Sequence, residues 1–182
     1  MIFLLQEHQI IGRYGWSCQS VPSYTCVLLI FLLVFSFILT SCKKTVEKPP
    51  PIEFTRQHSC RVCGMIIVDF PGSKAQIHYR NGEIDTFCST LDMLLFYHQP
   101  DRPRNIVAIY VNDMGKAQWD HPVGNWVDAK EAFYVYGGDI MGPMGEALVP
   151  FSKRSDAEDY IKKHGGRIIK FEEITPDILK PR

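Results

Sequence analysis

Two cysteines and a methionine stand close together in the segment SCRVCGM, and their types and spacing could bind a soft metal. Cys60 and Cys63 form a Cys-x-x-Cys pair, and Met65 follows the second cysteine after one glycine. Thiolate and thioether sulfurs are soft donors, which together favour Cu(I) over zinc or iron. On an extended chain the side chains of Cys63 and Met65 would point to the same side, and Gly64 allows the backbone to bend between them. The segment therefore predicts a Cu(I) site.

Further ligands for such an ion are available elsewhere in the sequence. Met144 ends the turn-forming segment Met-Gly-Pro-Met, and His58 lies two residues before the cysteine pair. We expect a third ligand from Met144, Cys60 or His58, in that order. Cys88 lies at a predicted junction of a strand and a helix, where it is either a small buried hydrophobic residue or a third sulfur near the site.

Two other classes of function would use the same cysteines, and both remain alternatives. An exported thiol-disulfide oxidoreductase would use Cys60 and Cys63, but such a pair normally lies at a helix N-terminus, which lowers the thiolate pKa. The β-branched run from Ile66 to Val68 follows the pair here, so that helix is not expected. A structural zinc site needs a second ligand pair at close spacing, and Cys88 alone is not one. Because no phosphate-binding loop or nucleophile–base combination is recognisable, we expect no enzymatic activity.

The N-terminal part of the chain has the features of an export signal. Residues 27–40 form an uncharged apolar run, which is too short to span a bilayer as a helix and fits a signal-peptide core. The residues Leu-Thr-Ser-Cys that end at Cys42 are similar to a bacterial lipobox. We expect residues 1–41 to be a signal peptide and Cys42 to carry the lipid. The folded part would then lie outside the cytoplasmic membrane, which means the periplasm if the cell is Gram-negative.

A tether is predicted over residues 42–56, where charged residues and three consecutive prolines favour an extended spacer. The whole chain is balanced in charge, with 20 Lys and Arg against 20 Asp and Glu among 182 residues. Nothing in this balance attracts nucleic acid, so we expect no nucleic-acid partner. The residues after the tether are enough for one domain or for two small halves that share a core.

One order of predicted elements occurs twice after the tether. The predicted elements are the strands 75–80, 83–88 and 105–111 with a helix from Ser89 to before Pro100, then the strands 132–136, 147–151 and 167–174 with a helix over 156–164. Asn81-Gly82 predicts a type I′ hairpin turn, and Ser155 with Glu158 predicts a capping box. We therefore predict an α+β fold of two ββαβ half-domains, 57–115 and 116–182, packed together.

Several stretches after the tether together form a specific pattern that covers most of the remaining chain. They are Cys63-Gly64-Met65, Phe70 to Ile77, Ala108 to Gly115, Trp126 to Ala129, and Met144-Gly145-Glu146 with Val149-Pro150-Phe151. This pattern resembles the NosL family, lipoprotein copper chaperones linked to nitrous oxide reductase.

The resemblance implies an exported, non-enzymatic protein that binds one Cu(I) and passes it toward the copper centres of nitrous oxide reductase. It also implies two ββαβ halves, and it makes Cys63 and Met65 copper ligands. The partners it implies are nitrous oxide reductase or the membrane ABC-type complex that assembles its copper centres, with the membrane contacted through the lipid anchor. The family pattern does not require Cys60 or Cys88, and a Cys60–Cys63 disulfide would block the metal.

Overall fold

The structure is a computed structural model that describes Tyr24 and residues 47–180. Apart from Tyr24, the predicted signal peptide lies outside the described residues, as do the predicted lipid-modified Cys42 and the start of the predicted tether. Residues 46–182 group into one domain. Within the described part of the chain, no helix is long and apolar enough to cross a membrane.

The described residues form nine strands, two α-helices and two short 3₁₀ helices. In chain order these are a 3₁₀ helix Ile67–Asp69, β1 Ala75–Tyr79, β2 Ile84–Phe87, α1 Thr90–Tyr97, β3 Ile106–Asn112, β4 Trp126–Asp128, β5 Phe133–Gly138, β6 Met141–Gly142, β7 Gly145–Glu146, β8 Val149–Phe151, α2 Arg154–His164, β9 Gly165–Lys170 and a 3₁₀ helix Phe171–Glu173. If β4 and the β6–β7 hairpin are set aside, the order strand, strand, helix, strand occurs twice. The predicted α+β fold of two ββαβ units is therefore confirmed.

Each unit contributes one antiparallel sheet. The first sheet has the order β2-β1-β3-β4 and the second has the order β8-β5-β9, while β6 and β7 form a separate hairpin. Ile77 at the centre of β1 lies opposite Asp85 of β2 on one side and Ile109 of β3 on the other. Strand β4 was not predicted, and it pairs with β3 through Val127 opposite Val111. Because β4 has three residues, all half-buried, it shows no alternation that a sequence pattern could reveal.

The hairpin between β1 and β2 differs from the sequence prediction. The Gly82 N–H donates to the carbonyl of Tyr79 at 3.0 Å, and Gly82 has a φ of 86°. A type I′ turn also needs a positive φ at the residue before the glycine, and Asn81 has none. The predicted turn type is therefore wrong. The register instead leaves a three-residue loop that ends in a left-handed glycine.

The N-termini of the two helices are stabilised differently. The Ser89 hydroxyl accepts a hydrogen bond from the Asp92 N–H at 3.0 Å, which confirms the predicted cap of α1. Helix α2 begins earlier than predicted and has no side-chain cap, because Ser155 lies inside it and donates to Asp156. Glu158 accepts a bond from an arginine one turn earlier. The predicted capping box is therefore wrong.

The two units share one hydrophobic core. The main group of buried apolar side chains joins the first sheet and α1 to the second sheet, and it includes Ile77, Phe87, Met93, Leu94, Ile109, Val111, Tyr134, Ile169 and Phe171. A smaller group lies under α2 and contains Val135, Val149, Phe151 and Ala157. Full burial of one large apolar side chain contributes about 1.5–3 kcal/mol. Helix α1, which carries part of the candidate site, is held mainly by the first group.

The part of the predicted tether that the structure describes runs along the first sheet. The backbone N–H of Ile52 donates to the Gln76 side chain at 2.9 Å, and the Gln76 amide donates back to the Ile52 carbonyl at 3.0 Å. The Tyr110 hydroxyl donates to the carbonyl of Pro49 at 2.7 Å. From residue 49 onward the segment is therefore bonded to the sheet.

A buried carboxylate links the ends of the two sheets. Asp113, just after β3, is fully buried and accepts bonds from the Ser152 N–H at 3.0 Å, the Ser152 hydroxyl at 2.5 Å and the Gly115 N–H at 3.1 Å. Burial by itself would raise the pKa of Asp113. These bonds, together with Lys116, lower it below its ordinary value. The folded chain therefore stabilises the ionised carboxylate.

We expect Asp113→Asn to lower the free energy of unfolding by about 1–3 kcal/mol at pH 7, because hydrogen bonds to a charged acceptor contribute about 1.5–3 kcal/mol. The folded-state pKa lies below the unfolded value, so this contribution is present above the unfolded pKa and is lost as the pH falls through the folded pKa. Urea unfolding at pH 7 and at several acidic pH values measures it, with the exposed Asp101→Asn as the control. A difference from the parent that widened toward low pH would contradict this account.

Candidate metal centre

The loop that carries the first two cysteines is a tight backbone turn. The Cys60 N–H donates to the Met65 carbonyl at 2.8 Å, and the Gly64 N–H donates to the Cys60 carbonyl at 2.9 Å. Gly64 has a φ of 74°, a left-handed conformation that glycine adopts without strain. The expected bend at Gly64 is present, but the chain from Cys63 to Met65 is not extended. Strand-like alternation therefore does not decide where these two side chains point.

Hydrogen bonds hold this loop beside the end of β2. The Arg61 N–H donates to the Thr86 carbonyl at 2.8 Å, and the Thr86 hydroxyl donates to the Ser59 carbonyl at 2.8 Å. Cys88 follows directly after β2, and Asp92 lies in the first turn of α1. The loop, the strand end and the helix start therefore meet in one place.

Three thiols and one carboxylate come together at this junction. The ligand atoms of Cys60, Cys63, Cys88 and Asp92, which we call the thiol cluster, all lie within 4.8 Å of one another. The Cys63 and Cys88 Sγ atoms are 3.5 Å apart. The thiols of Cys60 and Cys88 donate to Asp92 Oδ2 at 3.3 and 3.2 Å. The three cysteines are not disulfide-bonded. Cys88 is therefore a third sulfur at the site rather than an isolated buried residue.

The cluster is mostly shielded from solvent. Cys60, Cys88 and Asp92 are buried, whereas Cys63 is partly exposed. The hydrogen bond with the Cys88 thiol lowers the pKa of Cys60, and the same bond, together with burial, raises the pKa of Cys88. Burial also raises the pKa of Cys63, and it raises the pKa of Asp92 to about 6. A bound cation would favour ionisation of all three thiols.

A buried ammonium group lies beside the thiols. Lys74 is 3% exposed, and its Nζ donates to the carbonyls of Phe70, Pro71 and Cys88 at 2.7, 3.0 and 3.1 Å. Burial lowers the pKa of Lys74 to about 8, while negative charge on Cys88 and Cys60 acts in the opposite direction. The ammonium group therefore compensates part of the negative charge of the thiolates.

Sequence reasoning missed Asp92 and Lys74. The signal for Asp92 was limited to its closeness in sequence to Cys88, which it follows by four residues across the start of α1. The sequence analysis considered Cys88 alone and found no second ligand pair, and the structure places the Asp92 carboxylate beside the Cys88 thiol. Lys74 gave no comparable signal, because its burial depends on segments that are distant in the chain.

The structure places the other predicted ligands as follows. Met65 is half-buried and packs against the main core. Met144, 40% exposed, lies in the β6–β7 hairpin and lines a groove of about 400 Å³ together with Leu91 of α1. His58 Nδ1 accepts a bond from the Thr55 N–H at 3.0 Å, and His58 is not a member of the thiol cluster. The ligand roles of these three residues remain predictions.

Comparison with known proteins connects this geometry to a family. The sequence model of the NosL family matches residues 51–179, which include the whole thiol cluster. The chain belongs to the NosL family. The predicted NosL resemblance is thereby confirmed.

Individual NosL relatives are similar over most of their length. A copper-binding lipoprotein NosL from Stutzerimonas stutzeri is 41% identical over 157 residues, which cover 84% of this chain and 81% of that protein. A copper-binding lipoprotein NosL from Achromobacter cycloclastes is 36% identical over 155 residues, 81% of this chain and 80% of that protein. The crystal structure of the copper chaperone NosL from Shewanella denitrificans is 32% identical and covers 72% of this chain and 98% of that one, with a TM-score of 0.66. The NosL fold thus agrees with the observed α+β architecture.

Proposed function

We propose that this chain is an exported, lipid-anchored copper carrier without enzymatic activity. It holds one Cu(I) outside the cytoplasmic membrane and passes the ion to nitrous oxide reductase or to the membrane complex that assembles its copper centres. The observation that carries the proposal is the thiol cluster, in which three sulfurs lie within 4.8 Å of one another. The names of the relatives support both the copper and the lipid anchor.

The chemistry of the cluster suits Cu(I) better than a harder ion that binds only oxygen. Cu(I) prefers soft sulfur ligands, and Cys63 is the anionic ligand in this proposal, with Met65 as the second. The short distance between the Cys63 and Cys88 sulfurs, 3.5 Å, supports a thiol as the third ligand, from Cys88 or Cys60. Met144 and His58 follow these thiols in the order of preference.

Partial exposure of the metal ligand suits transfer to an acceptor. Cys63 is the partly exposed member of the cluster, and the neighbouring apolar residues Val62 and Ile66 are 43% and 37% exposed. A site with two or three ligands leaves a position at which a ligand of the acceptor can attack before the donor releases copper. The exposed apolar residues give the acceptor a surface to contact during this exchange.

Cu(I) titration of the reduced full chain, with mass determination of the complex, tests the proposal. We expect one Cu(I) per chain and X-ray absorption that shows sulfur neighbours; only nitrogen and oxygen neighbours would refute the proposal. The loaded chain should then lose its copper to copper-free nitrous oxide reductase or to the assembly complex. If the chain binds Cu(I) but transfers none, copper binding is supported and the proposed acceptor is wrong.

A thiol-disulfide oxidoreductase is the second candidate, because Cys63 and Cys88 lie close enough for exchange through a disulfide.

We expect Met65→Ala to weaken Cu(I) binding by at least about tenfold, or ~1.4 kcal/mol, because a soft ligand is lost while all thiols remain. Competition with a chromophoric Cu(I) chelator measures this change. Met141→Ala, at a methionine that is 66% exposed, is the matched control and should bind as the parent does.

An insulin-reduction assay separates the two candidates. An oxidoreductase needs two thiols, one to attack the substrate disulfide and one to resolve the mixed disulfide. We expect no such activity in the parent or in Met65→Ala. Activity that survives Met65→Ala and disappears in Cys60→Ser or Cys88→Ser would replace the copper carrier by the redox enzyme.

A further inference from the structure

The carboxylate of the thiol cluster is not explained by Cu(I). Asp92 is fully buried, and its Oδ2 accepts bonds from the thiols of Cys60 and Cys88. Its Oδ1 is also buried and has no hydrogen-bond partner among the described residues. Burial of a carboxylate is unfavourable unless it is hydrogen-bonded, paired or bound to a cation. Because a hard oxygen ligand adds little to a Cu(I) site, Asp92 points to another kind of ion.

The arrangement of the four ligand atoms fits a tetrahedral divalent site. Zinc takes mixed sulfur and oxygen ligands, and bonds of about 2.0–2.3 Å place neighbouring ligand atoms of a tetrahedron about 3.5–3.8 Å apart. The observed contacts are 3.2 and 3.3 Å from sulfur to oxygen and 3.5 Å from sulfur to sulfur, and no pair exceeds 4.8 Å. Small movements of the side chains would therefore admit the ion. Cys88 and Asp92 supply the second ligand pair that such a site needs.

We propose that the reduced thiol cluster has a second binding mode, in which Cys60, Cys63, Cys88 and Asp92 hold one thiophilic divalent cation of the Zn²⁺ or Cd²⁺ class. This inference rests on the proposed function in one respect, because the divalent cation shares the sulfurs with Cu(I). On binding, metal–sulfur bonds replace sulfur–hydrogen bonds, and the thiol protons pass to solvent. Three thiolates and one carboxylate exceed the charge of the cation, and the neighbouring Lys74 ammonium compensates part of the excess.

The two binding modes differ in their ligand atoms. Cu(I) is held by sulfur alone, whereas the divalent cation also needs the Asp92 oxygen. The Asp92 carboxylate therefore separates the two modes experimentally. Since Cu(I) binds thiolates more strongly than Zn²⁺ does, added Cu(I) should displace the divalent cation from the cluster. A zinc-loaded chain would then keep its thiols from forming a disulfide until copper arrives.

The test uses the full chain in detergent, with serine at Cys18, Cys26 and Cys42 so that the cluster contains its only thiols. Co²⁺ serves as the optical probe of coordination, and Zn²⁺ affinity is measured by competition with a chromophoric chelator. We expect one Co²⁺ per chain, with the intense visible bands of a tetrahedral thiolate site. Asp92→Asn, which keeps the size of the side chain, should weaken Zn²⁺ binding by at least about tenfold and weaken Cu(I) binding by a clearly smaller factor. Asp101→Asn is the matched control and should change neither.

Each result either supports or overturns this inference. Unchanged Zn²⁺ affinity in Asp92→Asn would show that Asp92 only orients the thiols. Cu(I) binding by a parent chain that binds no Zn²⁺ or Co²⁺ would overturn the second mode alone, whereas failure to bind any of these ions would overturn the proposed function as well. If Asp92→Asn does not fold, ¹¹³Cd NMR of the parent decides. A chemical shift typical of three sulfurs and one oxygen supports the inference, and one typical of sulfur and nitrogen ligands overturns it.

Discussion

Cys63→Ser is expected to lower the Cu(I) affinity of the chain by at least about a hundredfold, or ~2.7 kcal/mol. The change exchanges a soft thiolate for a hard hydroxyl, which binds Cu(I) poorly. Cys63 is also the partly exposed thiol of the cluster, 3.5 Å from the Cys88 sulfur. Competition with a chromophoric Cu(I) chelator under reducing conditions, in the chain that has serine at its three N-terminal cysteines, measures the loss.

The companion variants show whether Cys63 is the principal ligand. Cys88→Ser and Cys60→Ser each leave Cys63 and Met65 in place, so each should lose less Cu(I) affinity than Cys63→Ser does. Urea unfolding of all three variants checks that they remain folded. A larger loss in Cys88→Ser or Cys60→Ser would move the anionic anchor to that buried cysteine. It would also mean that the family pattern around Cys63-Gly64-Met65 does not describe the metal site of this chain.

The second large effect is expected in helix α1, which positions the carboxylate of the cluster. Leu94 is fully buried in the main core, whereas its neighbour Leu95 is 38% exposed. Leu94→Ala should lower the free energy of unfolding by about 2–5 kcal/mol, because it removes buried methyl groups and leaves a cavity. Leu95→Ala makes the same chemical change in the same helix and should have an effect below about 1 kcal/mol. Urea unfolding of the metal-free chain measures both.

Comparable losses in the two leucine variants would show that α1 is not held by the main core. Metal binding gives a second measurement of the same packing. Because α1 carries Asp92, the affinity of folded Leu94→Ala for Zn²⁺ should fall more than its affinity for Cu(I), which does not use the Asp92 oxygen in our proposal. Equal losses of affinity for Zn²⁺ and Cu(I) would argue against the proposal that only Zn²⁺ uses the Asp92 oxygen.

Much of the fold could be predicted from the sequence, because its signals are local. Strand β1 shows in its alternation of apolar and polar residues and β3 in its apolar run, and the start of α1 shows in the Ser89 cap, which the structure confirms. The order of elements in each ββαβ unit follows from these signals. The turn at Gly82 was predicted incorrectly because the strand register decided it, and the start of α2 was predicted incorrectly because Ser155 lies inside the helix and does not cap it. β4 was missed because it has three residues.

The residues of the metal centre also fall into two groups, those that the sequence indicates and those that only the fold brings together. Cys60 and Cys63 are neighbours in sequence, so their spacing alone indicates a metal or redox site. Cys88, Asp92 and Lys74 join them only in the folded chain, where the end of β2, the first turn of α1 and the segment before β1 meet the cysteine loop. Sequence spacing carries information about side chains within a turn or a strand, whereas the burial of a carboxylate and an ammonium group depends on packing between distant segments. The pair of cysteines was therefore readable from the sequence, and only the tertiary structure decided that the site has three thiols, a buried carboxylate and a neighbouring positive charge.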